Sequence, residues 1–324
     1  MAHDLCTALE TASRGWTGDA PSGAMLTSTR AFLAAAAENT ALLSEVASSL
    51  GSYEPGAAIW IAVTCGTAVE RGAPAGLTGP AIFDLLRSWL PKLPVETSSE
   101  PEVTPEQTAL LTLFRYLAQS TVTHLAHLPA HRELMGKDLV LIDRLDELRR
   151  FSYGAVWVGE ALLKASGGII LLHPPSGTGV QARYTNVSNC FHLFSLLQTA
   201  IGTSIAGGRT PSAAIARVAR GTGTEQVNDE AWWHYGIAMR GESNLATTIW
   251  GEGLARDIPS VDGVQVILAW PALLGARTWD AGFLGPHLEA LPADAVVERA
   301  LTIAECEAWM KRLGLGPKKS WRFW

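Results

Sequence analysis

The residue in this chain best placed by type to act as a nucleophile is Cys190, which opens the helical stretch CFHLFSLLQTAIG. A thiol in the first turn of a helix can ionise more easily and attack a carbonyl if an imidazole takes its proton. His192 lies too close along the same helix to face it, so His173 and His234 are the candidate bases, with Asp229 or Asp262 to orient the ring. This set would suit a thiol-dependent hydrolase or an acyl or amide transferase. The plainer alternative is a small apolar cysteine buried at the start of a core helix.

A second constellation is HLAHLPAH, residues 124 to 131, in which His124 and His127 share a helical face and His131 follows one turn on. That spacing could present imidazoles to a metal ion, with Glu133 as the nearby carboxylate. Pro129 should break the helix, and histidines at a helix end can equally be hydrogen-bonded or solvated. No cofactor is expected.

Aromatic residues form the third group, since nine of the twelve tryptophans fall between Trp157 and Trp324. Trp232, Trp233, His234 and Tyr235 are adjacent and cannot all enter one core, so some should face a ligand or a protein partner. Trp250 is placed with them, and the tail PKKSWRFW adds Trp321 and Trp324, which should dock on the chain itself or on a partner. Indole-lined surfaces suit planar ligands, sugars and protein hot spots.

The familiar motifs for nucleotide, calcium or zinc-hydrolase chemistry do not occur. Gly177-Thr178-Gly179 and Gly221-Thr222-Gly223 look phosphate-friendly in isolation, but the first reads better as a hairpin turn.

These residues need elements to hold them, and the periodicity changes along the chain. Residues 1–25 read as a flexible N-terminal segment, and 26–150 as a helical lobe, a bundle or short helical stack. In that lobe helices are predicted over 26–50, 56–71, 80–90, 105–128 and 134–150, the last with Leu139, Ile142, Leu145 and Leu148 as its apolar stripe. The proline- and glutamate-rich 91–105 should be an exposed linker.

Residues 151–324 read as a mixed α/β lobe with a small sheet and an aromatic C-terminal tail, which makes the fold class α+β. There, 167–187 predict a hairpin, 261–271 a buried strand after an Asp-Gly turn, and 302–313 a helix capped by Thr302 and Glu305.

Lys and Arg number 11 against 17 Asp and Glu in residues 1–150, and 14 against 14 in 151–324, so the net charge of -6 resides in the first half. An acidic lobe disfavours duplex nucleic acid. Four scattered cysteines without a C-x-x-C pair argue for a reducing compartment, and the first residues carry no basic and apolar leader, so a cytoplasmic location is expected. No apolar run reaches the length of a bilayer span, so no membrane partner is expected. The leading expectation is a cytosolic, non-catalytic accessory protein that binds another protein. The thiol enzyme at Cys190 is the alternative.

Overall fold

The computed structural model describes residues 2–94, 103–223, 228–230, 233–237, 244–271, 278–280, 288 and 290–315, with backbone alone at 2, 228–230, 233–234, 245 and 278–280. The fold is α+β, and the chain divides into two compact units, Met1–Leu162 and Leu163–Trp324.

The first unit is helical: α1 (Ala2–Ser13), α2 (Gly23–Glu38), α3 (Ala41–Ser49), α4 (Pro55–Glu70), α5 (Gly79–Trp89), α6 (Pro105–His127), α7 (Pro129–Met135), α8 (Leu139–Leu148) and α9 (Tyr153–Leu163). Helix α4 is apolar all round, as a central helix must be, and packs on α1, α2 and α6. Gly56 permits the approach of the chain before α2, because a methyl group there would sit 2.1 Å from the Trp16 carbonyl oxygen. Glu54 caps α4 and ties it to the same segment. Its carboxylate accepts from the backbone N–H groups of Gly15, Gly56 and Ala57 at 3.0–3.2 Å.

Three expectations for this unit need correction. The N-terminal segment expected to be flexible forms α1, whose Leu9 is fully buried, and Trp16 beyond it stacks edge-on against Trp60 at 5.0 Å. The helix expected over 26–50 breaks at Asn39, whose extended backbone and side-chain oxygen, bonded to Ala41 N at 3.1 Å, start α3 afresh. The helix expected over 134–150 is also two helices. A tight turn ends α7 at Met135, and Asp138 caps α8 by accepting from Leu141 N. Of the proposed linker, 95–102 lie outside the described residues; its first part is pinned, since Leu93 is buried and Arg144 donates to the carbonyls of Leu90, Leu93 and Pro94.

The second unit is built on a mixed sheet. Its elements are β1 (Ala165–His173), β2 (Thr178–Val187), α10 (Cys190–Ile201), α11 (Ala213–Arg220), β3 (Asn228–Glu230), β4 (Trp233–Ile237), β5 (Ser260–Val261), β6 (Val264–Pro271), β7 (Thr278–Asp280), β8 (Asp294–Ala300) and α12 (Ile303–Arg312). Strand order is β4-β6-β1-β2-β8 with β5 folded onto β6, and β3 pairs β7 separately. The β1–β6 pair is parallel, and the others are antiparallel.

Both faces of β1 are covered, so its apolar run does not alternate with polar residues. Ile169 and Leu171 pack with α10 and α11 on one face, while Ile170 and Leu172 pack with Cys306 and Trp309 of α12 on the other. The hairpin turns at Gly177, and Asp262-Gly263 takes two left-handed residues (φ 53 and 80) between β5 and β6. Thr302 and Glu305 form a capping box at the start of α12. Among the described residues no helix is long and apolar enough to cross a membrane.

Candidate functional site

Cys190 is held in α10 by a sequence that consumes the helix's free donors. Asn189 caps the helix, accepting from His192 N at 2.8 Å, and the N–H groups of Cys190 and Phe191 donate to the carbonyls of Gly253 and Gly251 at 2.8 and 2.9 Å. The first-turn donors that would favour a thiolate are therefore already occupied by carbonyl oxygens. The thiol itself is 1% exposed, and burial, with a smaller contribution from the negative charge of Asp257, pushes its pKa up to about 12. At neutral pH it is a protonated, packed side chain.

Of the expected partners, His173 and Asp262 do not gather around it. His173 ends β1 opposite Thr178, whereas Cys190 follows Val187, which pairs with Ala165 at the far end of the hairpin. Eight strand residues at about 3.3 Å each, less three residues of intervening chain, keep the two Cα atoms about 15 Å or more apart, beyond hydrogen-bond reach of thiol and imidazole. His173 instead shares a hydrogen bond with Ser176 at 2.7 Å, and burial lowers its pKa. Asp262 sits exposed at the β5–β6 turn and pairs with Arg312 of α12 at 3.3 Å, on the sheet face opposite α10. His234 lies in β4 with its backbone opposite Trp270, and Asp229 in β3 opposite Trp279; their side chains are outside the described residues.

The aromatic cluster splits. Tyr235, expected to face a ligand or partner, is fully buried, stacked on Phe194 at 3.9 Å and 11°, with its hydroxyl donating to Gln198 Oε1 at 3.3 Å. Trp250 is 48% exposed. Trp233 is described by its backbone alone, opposite Pro271, and Trp232, Trp321 and Trp324 lie outside the described residues.

Sequence reasoning missed the polar line on α10. Ser195 and Gln198, both fully buried, leave Oγ and Nε2 without a hydrogen-bond partner. Each such buried orphan costs about 1–3 kcal/mol.

In the first unit the three histidines do not converge, and among the described residues no group of His, Cys, Asp and Glu could hold a metal ion. His124 is fully buried, and both ring nitrogens are used, Nδ1 with the Ser120 carbonyl and Nε2 with the Thr78 hydroxyl, each at 2.7 Å. The carbonyl can only accept, so Nδ1 carries the proton and the Nε2 lone pair accepts from Thr78. Burial keeps this imidazole neutral, lowering its pKa. His127 and His131 are exposed, and Glu133 pairs with Lys137 at 2.7 Å.

The same unit carries a surface feature that was expected to be core. Leu139, assigned to the apolar stripe of the 134–150 helix, is 69% exposed; Leu134 and Val140 beside it are 68% and 80% exposed. Helix α8 buries Leu141, Leu145 and Leu148 instead. The three exposed side chains flank one tight turn, in which Lys137 N and Asp138 N donate to the carbonyls of Leu134 and Met135. Large aliphatic groups exposed close together in sequence at a helix junction have the surface character of docking sites. Comparison of the chain with protein-family models, with curated proteins and with solved structures gives no significant match.

Proposed function

We propose that this chain is a non-catalytic binding protein that recruits a protein partner through the α7–α8 shoulder. The exposure of Leu134, Leu139 and Val140 carries this reading. A lone exposed leucine needs no explanation, but three large aliphatic side chains exposed within seven residues are an unusual concentration of apolar surface. The carboxylates beside it, Asp138, Asp146 and Glu147, are already paired with Arg87, Arg149 and Arg144. The partner of matching chemistry is therefore an apolar segment.

The thiol alternative loses its support, because Cys190 is buried, protonated and far from His173. Four free, buried cysteines favour a reducing, cytoplasmic setting, and the charge balance of the first half disfavours duplex nucleic acid.

A photo-crosslinking residue at Val140 of the full chain, used in lysate of its source cells, tests this function. One defined protein adduct is expected, with loss of that adduct when Leu134 and Leu139 are changed to Glu. No adduct, or the same adducts from a control position such as Glu10, would overturn the proposal. Light scattering on the purified chain separates self-association from a different partner.

A further inference from the structure

Most cations of the first unit have a partner. Arg14, Arg87, Lys137, Arg144 and Arg149 each hold a carboxylate. Lys92 and Arg115 lie over the rings of Trp89 and Trp157, and Arg150 is engaged as well. Among the described residues, Arg30, Arg71 and the buried Arg132 are the cations of this unit whose side chains have no ion pair, hydrogen bond or ring contact.

Arg30 and Arg71 line one cavity of about 360 Å³ between α2 and the end of α4. Its walls are otherwise apolar, with Leu33 and Ala37 from α2 and Ala68 from α4, and Thr40 contributes a hydroxyl that caps nothing. No carboxylate lines it. In a half with six more acids than bases, both guanidiniums that line this cavity lack a carboxylate partner among the described residues. Two unpaired guanidiniums lining one otherwise apolar cavity suit an anion with an apolar body.

We propose that this cavity binds a small organic anion, a carboxylate or phosphate monoester on a compact apolar body. Arg30 and Arg71 clamp the oxyanion from the two helices, the Thr40 hydroxyl donates a third hydrogen bond, and the body rests on Leu33, Ala37 and Ala68. Guanidinium forks match the oxygen spacing of both head groups. The volume lies within the range of small-molecule sites and accommodates a ring or short chain. This site is independent of the α7–α8 shoulder, and its loss would leave the docking proposal standing.

Calorimetric titration of the full chain with phenyl phosphate, benzoate, benzyl alcohol and inorganic phosphate tests the proposal. Phenyl phosphate or benzoate should saturate one site, and the tighter of the two identifies the head group. Benzyl alcohol and inorganic phosphate should each bind about tenfold more weakly or worse, because each lacks half of the recognition. Arg30→Gln and Arg71→Gln should each weaken binding about tenfold, the worth of a charged hydrogen bond. Ala37→Leu should block the site with both charges in place. All three positions are exposed, and unchanged melting curves would show that the variants fold. Absence of saturation by either aromatic anion would overturn the proposal. Equal binding by the Arg30→Gln, Arg71→Gln double variant, or equally tight binding of inorganic phosphate, would also overturn it.

Discussion

The two units differ in where they place the side chains on which a function could rest. In the second unit Cys190 and Tyr235 line the core between the sheet and α10, and Trp270 fills the opposite face. In the first unit His124 is buried too, but aliphatic side chains are exposed at the α7–α8 turn and two arginines are open at a cavity. Residue type alone is therefore a poor guide to function. A sheet covered on both faces has room for aromatics and thiols as packing material, whereas a unit of short helices leaves junctions where side chains must face outward.

The sharpest way to break this contrast is to truncate Tyr235. If it is core, Tyr235→Ala should cost about 3–5 kcal/mol in urea unfolding, the range for a large buried aromatic. A change under about 1 kcal/mol would return the ring to the surface and restore it as a candidate for facing a ligand or partner. Cys190 offers a second test without mutation. A pKa of about 12 against an ordinary 9.0 reduces its thiolate fraction about a thousandfold. Iodoacetamide should therefore label Cys190 in the native chain at least about a thousandfold more slowly than free cysteine. Labelling at the free rate would restore a nucleophile.

His124 supplies the corresponding test in the first unit. Its folded pKa lies below the ordinary 6.5, so the unfolded chain binds the proton first. The stabilisation from the neutral ring is complete above pH 6.5 and is lost as pH falls from there toward the folded value. Unfolding midpoints measured from pH 8 to pH 5 should decline below 6.5, and His124→Gln should flatten that decline. An equal slope in the variant would place the titration elsewhere.

Where sequence and structure agree, a local rule leaves one solution. Thr302 and Glu305 specify a helix start, Asp262-Gly263 a tight hairpin, and Gly167 to His173 a buried strand. The fold class followed from these. The edge strand β8 was not legible, because DAVVERA mixes charge with half-exposed apolar positions and matches no single period. Helix α1 is not legible either, because its amphipathic pattern is short and preceded by no cap.

The candidate site was less legible than the fold. Thr78 lies 46 residues from His124, and their hydrogen bond is visible only after folding. The carbonyls of Gly251 and Gly253 that close the start of α10 are likewise remote in sequence. The unpaired state of Arg30 and Arg71 is a fact about where carboxylates do not come, and sequence carries no trace of it.

The α8 stripe shows how one residue decides between two readings. The run Leu139, Val140, Leu141, Ile142, Leu145, Leu148 contains two overlapping helical stripes. Leu139, Ile142, Leu145 and Leu148 fit one, and Leu141, Leu145 and Leu148 the other. Asp138 caps the helix through Leu141 N, so α8 begins at Leu139, whose side chain then lies at the exposed first turn. From this follows the smallest expected effect. Leu139→Ser with Val140→Ser should change stability by no more than about 0.5 kcal/mol, since neither side chain is withdrawn from water. The same double variant should abolish the adduct formed from a crosslinker moved to Leu134. Stability unchanged and adduct lost would separate a docking surface from a packing one; a cost of about 2 kcal/mol or more would mean that this face is covered in the folded chain, and the contrast between the units would fail there.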